Sequence, residues 1–274
     1  MLFRSGRFVV SGSEDNTARV WEAASGREVA RLTHGDRVFD VAFSPDGRYV
    51  VSGSEDNTAR VWEAASGREV ARLTHDWVVT AVAFSPDGRY VVSGSGDTTA
   101  RVWEAASGRE VARLTHDLVV TAVAFSPDGR YVVSGSGDGT ARVWEAASGR
   151  EVARLTRGGR VIAVAFSPDG RYVVSGSDDN TARVWEAASG REVARMTHGD
   201  EVGTVAFSPD GRYVVSEGCD KWGENYRCIE VHLQETFSDV VKTDKTGLSK
   251  TAHTRWMISA FANFLPGSTI FRLA

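Results

Sequence analysis

Histidine, serine and aspartate recur together in this chain, and these are the side chains of a hydrolase triad. One set consists of His34, Ser52 and Asp56. An active site needs one convergent set, but here the whole set returns at a step of 41 residues, as His75, Ser93 and Asp97 and then as His116, Ser134 and Asp138. Repetition of every member favours a structural role over catalysis, so we predict that the chain is not an enzyme.

The recurring histidines do not predict a metal site. Their 41-residue step places each histidine in a different structural unit, and no repeated cysteine or carboxylate accompanies it at ligand spacing. The two cysteines, Cys219 and Cys228, lack the short paired spacing of zinc ligands. We therefore predict no metal and no cofactor, and we expect the two cysteines to be free thiols.

The elements that position these side chains belong to a repeated 41-residue unit. The segment VWEAASGREVAR and the turn SPDG return at that step, which places equivalent tryptophans at Trp21, Trp62, Trp103, Trp144 and Trp185. A fixed period of this length is typical of stacked supersecondary units, none of which can bury its apolar face alone. Any function should therefore belong to the assembled array.

Each repeat contains four short apolar runs of strand length. In residues 26–66 they are EVARLT, VFDVAFS, RYVVSGS and TARVWEA. Proline and glycine in Ser44-Pro45-Asp46-Gly47 indicate a type I turn between the second and third runs. The pattern predicts an all-β protein in which each repeat forms one antiparallel sheet of four strands.

The motifs of one repeat resemble those of the WD-repeat family. They are Thr33-His34, Phe43-Ser44-Pro45-Asp46-Gly47, the stretch from Ser52 to Thr58, and Trp62-Glu63. The family has glycine before the histidine and aspartate after the tryptophan, where this chain has threonine and glutamate. The resemblance covers residues 1 to about 216 and is greatest to bacterial WD-repeat proteins. It implies a β-propeller of four-stranded blades.

The resemblance also implies a role for the recurring polar residues. In the family, the histidine, the strand serine, the turn aspartate and the tryptophan form a hydrogen-bonded structural tetrad. Three complete tetrads are expected here: His34, Ser52, Asp56 and Trp62; His75, Ser93, Asp97 and Trp103; and His116, Ser134, Asp138 and Trp144. Arg157 replaces the histidine of the next repeat, so the blade containing Ser175, Asp179 and Trp185 should be the least well tied.

The copies differ mainly after the histidine and just before the turn aspartate. In WD-repeat propellers these loops line one face, where partner proteins and peptides dock. Relaxed drift at exposed loops could also produce such variation. Large apolar and cationic residues favour a binding role instead. The predicted binding residues are Glu14, Arg37, Phe39, Glu55, Trp77, Val78, Thr80, Leu118, Val119, Thr121, Arg160, Ile162, Asp178 and Glu201.

The repeat boundaries divide the chain into an array over residues 1–216 and a divergent segment over 217–274. The array comprises a partial N-terminal blade (1–25), four full repeats (26–66, 67–107, 108–148 and 149–189) and a fifth from residue 190. These supply 21 strands, so a closed ring of six blades needs three more from the tail. Six blades are predicted, with seven or an incomplete arc as alternatives. An unclosed arc would expose sheet edges and favour self-association.

Two further expectations concern the divergent segment. CIEVHLQ is a candidate strand, and the apolar spacing from Trp256 to Leu265 predicts one short helix before Pro266.

Composition limits the classes of partner. A net charge of −4 gives no overall attraction to nucleic acid or to an anionic membrane, and no apolar stretch is long enough to span a membrane. Without a secretory signal, a cytoplasmic location is expected. The favoured function is a scaffold or sensor module that binds a protein or peptide. The alternatives are a hydrolase-like propeller enzyme with a site in the central channel, or a purely structural or engineered array.

Overall fold

The computed structural model describes residues 7–218, 220–222 and 225–227 of the 274-residue chain. This part contains β-strands and no helix. The repeats predict 21 strands, and the structure has 21 strands, β1 to β21, between Phe8 and Gly218. The predicted strand in CIEVHLQ and the predicted helix from Trp256 to Leu265 lie outside the described residues.

The strands recur at equivalent positions of successive repeats. They are β1 Phe8–Gly12, β2 Thr17–Glu22, β3 Glu28–Thr33, β4 Val38–Phe43, β5 Tyr49–Ser54, β6 Thr58–Glu63, β7 Glu69–Thr74, β8 Val79–Phe84, β9 Tyr90–Ser95, β10 Thr99–Glu104, β11 Glu110–Thr115, β12 Val120–Phe125, β13 Tyr131–Ser136, β14 Thr140–Glu145, β15 Glu151–Thr156, β16 Val161–Phe166, β17 Tyr172–Ser177, β18 Thr181–Glu186, β19 Glu192–Thr197, β20 Val202–Phe207, β21 Val214–Gly218, β22 Asp220–Trp222 and β23 Asn225–Arg227.

Antiparallel pairing gathers these strands into consecutive blades. Four blades are complete, namely β4–β7, β8–β11, β12–β15 and β16–β19. The sheet β1–β3 precedes them with three strands, β20–β21 begins a sixth blade, and β22–β23 form a separate short hairpin. The predicted all-β architecture of antiparallel propeller blades is therefore confirmed, with six consecutive blade positions in the described part.

The prediction that one repeat forms one blade is wrong, because the fourth strand of each complete blade comes from the next repeat. The first strand of each repeat pairs with the last strand of the repeat before it, as β7 does with β6. A tight turn causes this pairing: Gly67 has a φ of 71° and its N–H donates to the Glu63 carbonyl at 2.9 Å. The following loop, which begins at His75, therefore crosses from one blade to the next.

Turn chemistry sets the register within each blade. The Ser44 hydroxyl donates to the Asp46 carboxylate at 2.6 Å, and the Gly47 N–H donates to the Ser44 carbonyl at 2.9 Å. This arrangement aligns Phe43 with Val50 across the β4–β5 hairpin. Because the turn residues are the same in every copy, the hairpin has the same register in each blade.

The core lies between blades. The strands β4, β8, β12, β16 and β20 lie side by side at the centre of the array. Gly94 of β9 faces the next blade so closely that an added Cβ would lie 2.8 Å from Cγ1 of Val120.

Glycine occupies this position in the first five blades, whereas the sixth has the half-buried Glu217. Burial raises the pKa of Glu217. The last described blade thus presents a different surface to whatever follows it.

The edge of the first blade is also distinct. β1 occupies the second position of its blade, since it contacts β4 in the way that β5 contacts β8. The predicted closure by the tail falls on residues outside those described. No helix in the described part is long and apolar enough to cross a membrane.

Candidate functional site

The expected histidine sets form continuous hydrogen-bonded chains. In one of them the Trp144 indole N–H donates to Ser134 Oγ at 2.8 Å, and Ser134 Oγ lies 2.7 Å from His116 Nε2. His116 Nδ1 lies 3.1 Å from the Asp138 carboxylate. A neutral imidazole protonated on Nδ1 satisfies every member of this chain, because the serine then donates to Nε2.

The other two sets repeat this geometry. Ser52 Oγ and Ser93 Oγ lie 2.6 Å and 2.7 Å from Nε2 of His34 and His75, and each accepts the N–H of its tryptophan at 2.7 Å. The aspartate lies 3.1 Å from Nδ1 of His34 and 2.9 Å from Nδ1 of His75. The same four side chains therefore tie the inter-blade loop to blades β4–β7, β8–β11 and β12–β15.

The titration of these sets follows from burial and hydrogen bonding. Burial lowers the pKa of His34 and of His116, which keeps both imidazoles neutral. Burial alone would raise the pKa of Asp56, but hydrogen bonds from Thr58 and from the Gly35 N–H outweigh it and lower the pKa to about 2. In the sets of His34 and His116, a neutral histidine beside an ionised aspartate is thus the stable state near pH 7.

This geometry does not provide an accessible nucleophile. The Ser52, Ser93 and Ser134 residues are fully buried, and each hydroxyl is engaged by both its tryptophan and its histidine. A substrate carbonyl could not reach such an oxygen. In the described part of the chain, no group of three or more His, Cys, Asp or Glu side chains could hold a metal ion.

The expected loosening at Arg157 is not observed. One Arg157 Nη donates to Ser175 Oγ at 2.6 Å, and the other donates to the Asp179 carboxylate at 3.0 Å and to Thr181. The guanidinium therefore spans the serine and the aspartate that histidine joins elsewhere, and Trp185 still donates to Ser175. Burial lowers the pKa of Arg157 to about 10.

The substitution changes the direction of the hydrogen bonds. Arginine can only donate, so Ser175 Oγ accepts from both Arg157 and Trp185, whereas Ser134 accepts from Trp144 and donates to histidine. Nε of Arg157 is buried and has no hydrogen-bond partner among the described residues. The blade is tied, but by a buried cation instead of a neutral ring.

The predicted binding residues lie at the end of the blades where the inter-blade loops and the turns before the third strands meet. We call this end the loop face, defined by residues 14–16, 35–39, 55–57, 76–80, 96–98, 117–121, 137–139, 158–162, 178–180 and 199–203. Glu14 and Glu201 are exposed on it. Arg37 pairs with Glu55 at 2.6 Å, and Arg160 pairs with Asp178 at 3.7 Å.

The two variable positions of a repeat contact each other. The partners of Arg37 and Arg160 are the acids before the turn aspartate, and in the two blades between them valine faces glycine at these positions. A Cβ on Gly96 would lie 3.0 Å from Cγ1 of Val78, and one on Gly137 would lie 3.2 Å from Cγ1 of Val119. The pairs therefore vary together, either as an ion pair or as an apolar contact. The coupling was not predicted, although it is visible in the sequence as residues that change together between copies.

Three exposed large apolar side chains lie on the loop face, and we call these three side chains the patch. Trp77, Leu118 and Phe39 are 63%, 53% and 50% exposed, and no other large apolar side chain in the described part is exposed. They lie on three consecutive blades, β4–β7, β8–β11 and β12–β15. Trp77 covers Gly96, since an added Cβ there would lie 2.5 Å from Cδ1 of the indole. Loss of a side chain at Gly96 thus makes room for the tryptophan.

Four predicted residues, Phe39 among them, share one position, the extra residue of a β-bulge in the central strand. They are Phe39, Thr80, Thr121 and Ile162. The Thr80 hydroxyl donates to the Val120 carbonyl of the next blade, and the Thr121 hydroxyl donates to that of Val161. Both threonines are half-buried and serve the seam between blades. The variation at Thr80 and Thr121 therefore has a structural reason. Their hydroxyls are less available to a ligand than the exposed side chains of the patch.

Asp40 is a further titratable group, which the repeat pattern did not predict. Its carboxylate accepts the N–H of Val82 in the next blade at 2.8 Å and that of Val41 at 2.9 Å. Asp40 is half-buried, and burial raises its pKa to about 7. The other full repeats have alanine here, namely Ala81, Ala122 and Ala163. The single aspartate thus stabilises one seam of the array.

Comparisons with known proteins agree with this architecture. The family model described as "WD domain, G-beta repeat" matches residues 3–22, 26–63, 67–104, 108–145, 149–186 and 190–222. Among solved structures, the chain is similar to the computationally designed Ika8 protein, with 35% identity and a TM-score of 0.70 over 78% of this chain and 66% of that chain. The match thus spans slightly less than two thirds of the designed protein. No curated protein matches the chain.

Proposed function

Because the chain belongs to the WD40 repeat family, whose propellers usually mediate protein interactions, we propose that it binds a protein or peptide on its loop face. In this proposal the module is non-enzymatic and its tetrads are structural. One observation carries the assignment: all the exposed large apolar side chains of the described part, Phe39, Trp77 and Leu118, lie on that face.

The surroundings of the patch support a protein partner. Interfaces commonly have an apolar centre and a polar rim, and tryptophan is the side chain that most often dominates their energetics. The ion pairs Arg37–Glu55 and Arg160–Asp178 stand on blades β4–β7 and β16–β19, on the two sides of the blades that present Trp77 and Leu118. An exposed tryptophan also has a cost in solubility, which a binding role explains.

The test is a selection of displayed random peptides on the wild-type chain and on a Trp77→Ala, Leu118→Ala variant. Both side chains are more than half exposed, so the variant should keep its thermal stability. An Arg68→Ala, Arg109→Ala variant is the matched control, because these exposed arginines follow the turns at the opposite end of the blades.

We expect peptides that bind the wild type and the control, and that bind the patch variant at least about tenfold more weakly. Equal binding to all three proteins would remove the loop face as the site. Enrichment of no peptide on the wild type would favour a purely structural array.

A further inference from the structure

The loop face carries more negative than positive charge. Eight carboxylates outside the turn aspartates lie on it, against two arginines, Arg37 and Arg160. The carboxylates are those of Glu14, Asp36, Glu55, Asp76, Asp117, Asp178, Asp200 and Glu201. Both arginines are already paired, with Glu55 and Asp178. The whole chain carries a net charge of only −4, so negative charge is concentrated at this end of the blades.

Two of these carboxylates stand directly beside the large apolar side chains. Asp76 precedes Trp77 and Asp117 precedes Leu118, and their side chains are 84% and 83% exposed. Each bonds to a buried arginine that also serves a turn aspartate: Arg101 Nη2 lies 3.0 Å from Asp76 and 2.7 Å from Asp97. One cation is thus shared between two carboxylates, which leaves net negative charge at the edge of the patch.

The remaining four carboxylates lie farther from cations, although the charges of Glu14 and Asp36 help to raise the pKa of nearby Arg37. In the part of the chain that the structure describes, no ion pair reaches Glu14, Asp36, Asp200 or Glu201. The Asp36 and Asp200 carboxylates accept only the N–H of the residue that follows each of them, at 2.8 Å and 2.9 Å. These four groups lie on both sides of the blades that carry Trp77 and Leu118, so the patch has negative charge on either side.

Resting on the proposed function, we infer that the occupant of the loop face is a cationic peptide segment in which lysine or arginine side chains flank one or two large apolar residues. The apolar residues pack on Phe39, Trp77 and Leu118, and the cations meet the exposed carboxylates. An acidic partner would place like charges together on a face that has no spare arginine to receive them.

Three synthetic peptides of about 12 residues test this inference by calorimetric titration of the whole chain. They share two leucines and one phenylalanine at the same positions and differ in the remaining positions, which are lysine and arginine, serine and glutamine, or glutamate and aspartate. Salt raised from about 0.05 M to about 0.5 M reports on the charge contribution, because exposed charges are screened at the higher value.

Two triple variants distinguish an effect of charge on the loop face from an effect of the net charge of the whole chain. Glu14→Gln, Asp36→Asn and Glu201→Gln remove three carboxylates of the loop face. Glu63→Gln, Glu104→Gln and Glu145→Gln remove three at the opposite end of the blades and change the net charge equally. Trp77→Ala reports on the patch itself.

We expect the cationic peptide alone to bind tightly, with affinity about tenfold lower at high salt and several-fold lower in the loop-face triple variant, but unchanged in the opposite-end variant. Trp77→Ala should weaken it further. Tighter binding of the neutral or acidic peptide, lost in Trp77→Ala, would overturn the cationic partner while keeping the proposed binding face. Binding of the cationic peptide that both triple variants reduce equally, and that Trp77→Ala leaves intact, would overturn both proposals.

Discussion

The neighbouring repeats 108–148 and 149–189 have the same fold but differ at seven positions, all at the loop-face end. We call the side chain that joins the strand serine to the turn aspartate the tie. In the first repeat the tie is His116, Leu118 is exposed, and Val119 packs against Gly137. The second has Arg157 as its tie and the pair Arg160–Asp178 on its surface. The opposite ends are identical in sequence and in turn geometry.

The comparison shows that the same blade fold accepts two kinds of tie and two kinds of contact between the loop and the turn. A neutral imidazole and a buried guanidinium both join the strand serine to the turn aspartate, at different electrostatic cost. An apolar contact and an ion pair both fill the space between the loop and the turn. The residues of the loop face can therefore vary without change in the strands.

The largest expected effect comes from removing the two ties. Arg157→Ala should lower the free energy of unfolding by about 3–5 kcal/mol, because it empties a buried site and unpairs Asp179 from one of its two arginines. His116→Ala should cost less, about 2–3 kcal/mol, since the neutral ring is smaller. Urea denaturation, with hydrogen exchange of each blade, measures both.

Exchange of the two ties sharpens this result. Arg157→His should be neutral or stabilising, because it replaces a desolvated cation with the neutral ring used in the other blades. His116→Arg is the reciprocal variant and should be destabilising. A greater loss from His116→Ala than from Arg157→Ala would contradict our account of the buried guanidinium.

Acidification should distinguish the two repeats next. Burial lowers the pKa of His116 in the folded protein, so below about pH 6.5 the unfolded chain binds a proton that the folded chain does not. Stability is complete above that pH and falls as the pH drops toward the folded pKa, by at most about 1.4 kcal/mol per pH unit for each such histidine. Arg157 does not titrate in this range.

Hydrogen exchange at pH 7 and pH 5 checks this prediction. Strands β13 and β14 should lose protection while β17 and β18 do not, and Arg157→His should make β17 and β18 sensitive to acid as well. Below about pH 4 both blades should weaken, since the pKa values of Asp138 and Asp179 are lowered in the folded state. Equal loss of protection in both blades at pH 5 would refute the role of the histidine.

The smallest effect concerns the coupled surface pair. In repeat 108–148, Gly137→Asp alone should be unfavourable, because its Cβ would press on Val119 at 3.2 Å. Together with Val119→Arg it should recreate the Arg160–Asp178 pair. A double-mutant cycle of urea midpoints should then give a favourable coupling of about 0.5–1 kcal/mol. Additive effects would mean that the two positions vary independently.

Much of this architecture could be read from one copy of the repeat. The strands follow from apolar runs of fixed length, and the hairpin register follows from Ser44 to Gly47. The contacts of the tetrad match a family pattern whose residues stand at constant spacing. These features depend on contacts within a single blade or its adjoining loop, so residues close in sequence determine them.

The variable residues were less predictable, because their spacing in the sequence does not show which contacts their side chains make. Thr80 and Thr121 vary like ligand contacts, yet their hydroxyls bond to carbonyls 40 residues away. Arg157 was expected to loosen its blade, yet its length and two Nη groups let it reach Ser175, Asp179 and Thr181. Only its position in three dimensions shows that arginine can span the site.

The sequence by itself determined the period, the strands, the turns and the ends of the blades at which variation collects. Each of these is encoded by local spacing and repeated in every copy. The tertiary structure decided which strand joins which blade, how Arg157 is accommodated, and which variable residues remain exposed. Those outcomes depend on close approaches between blades, such as that of Gly94 to Val120, and on ion pairs between repeats, such as that of Arg101 with Glu110.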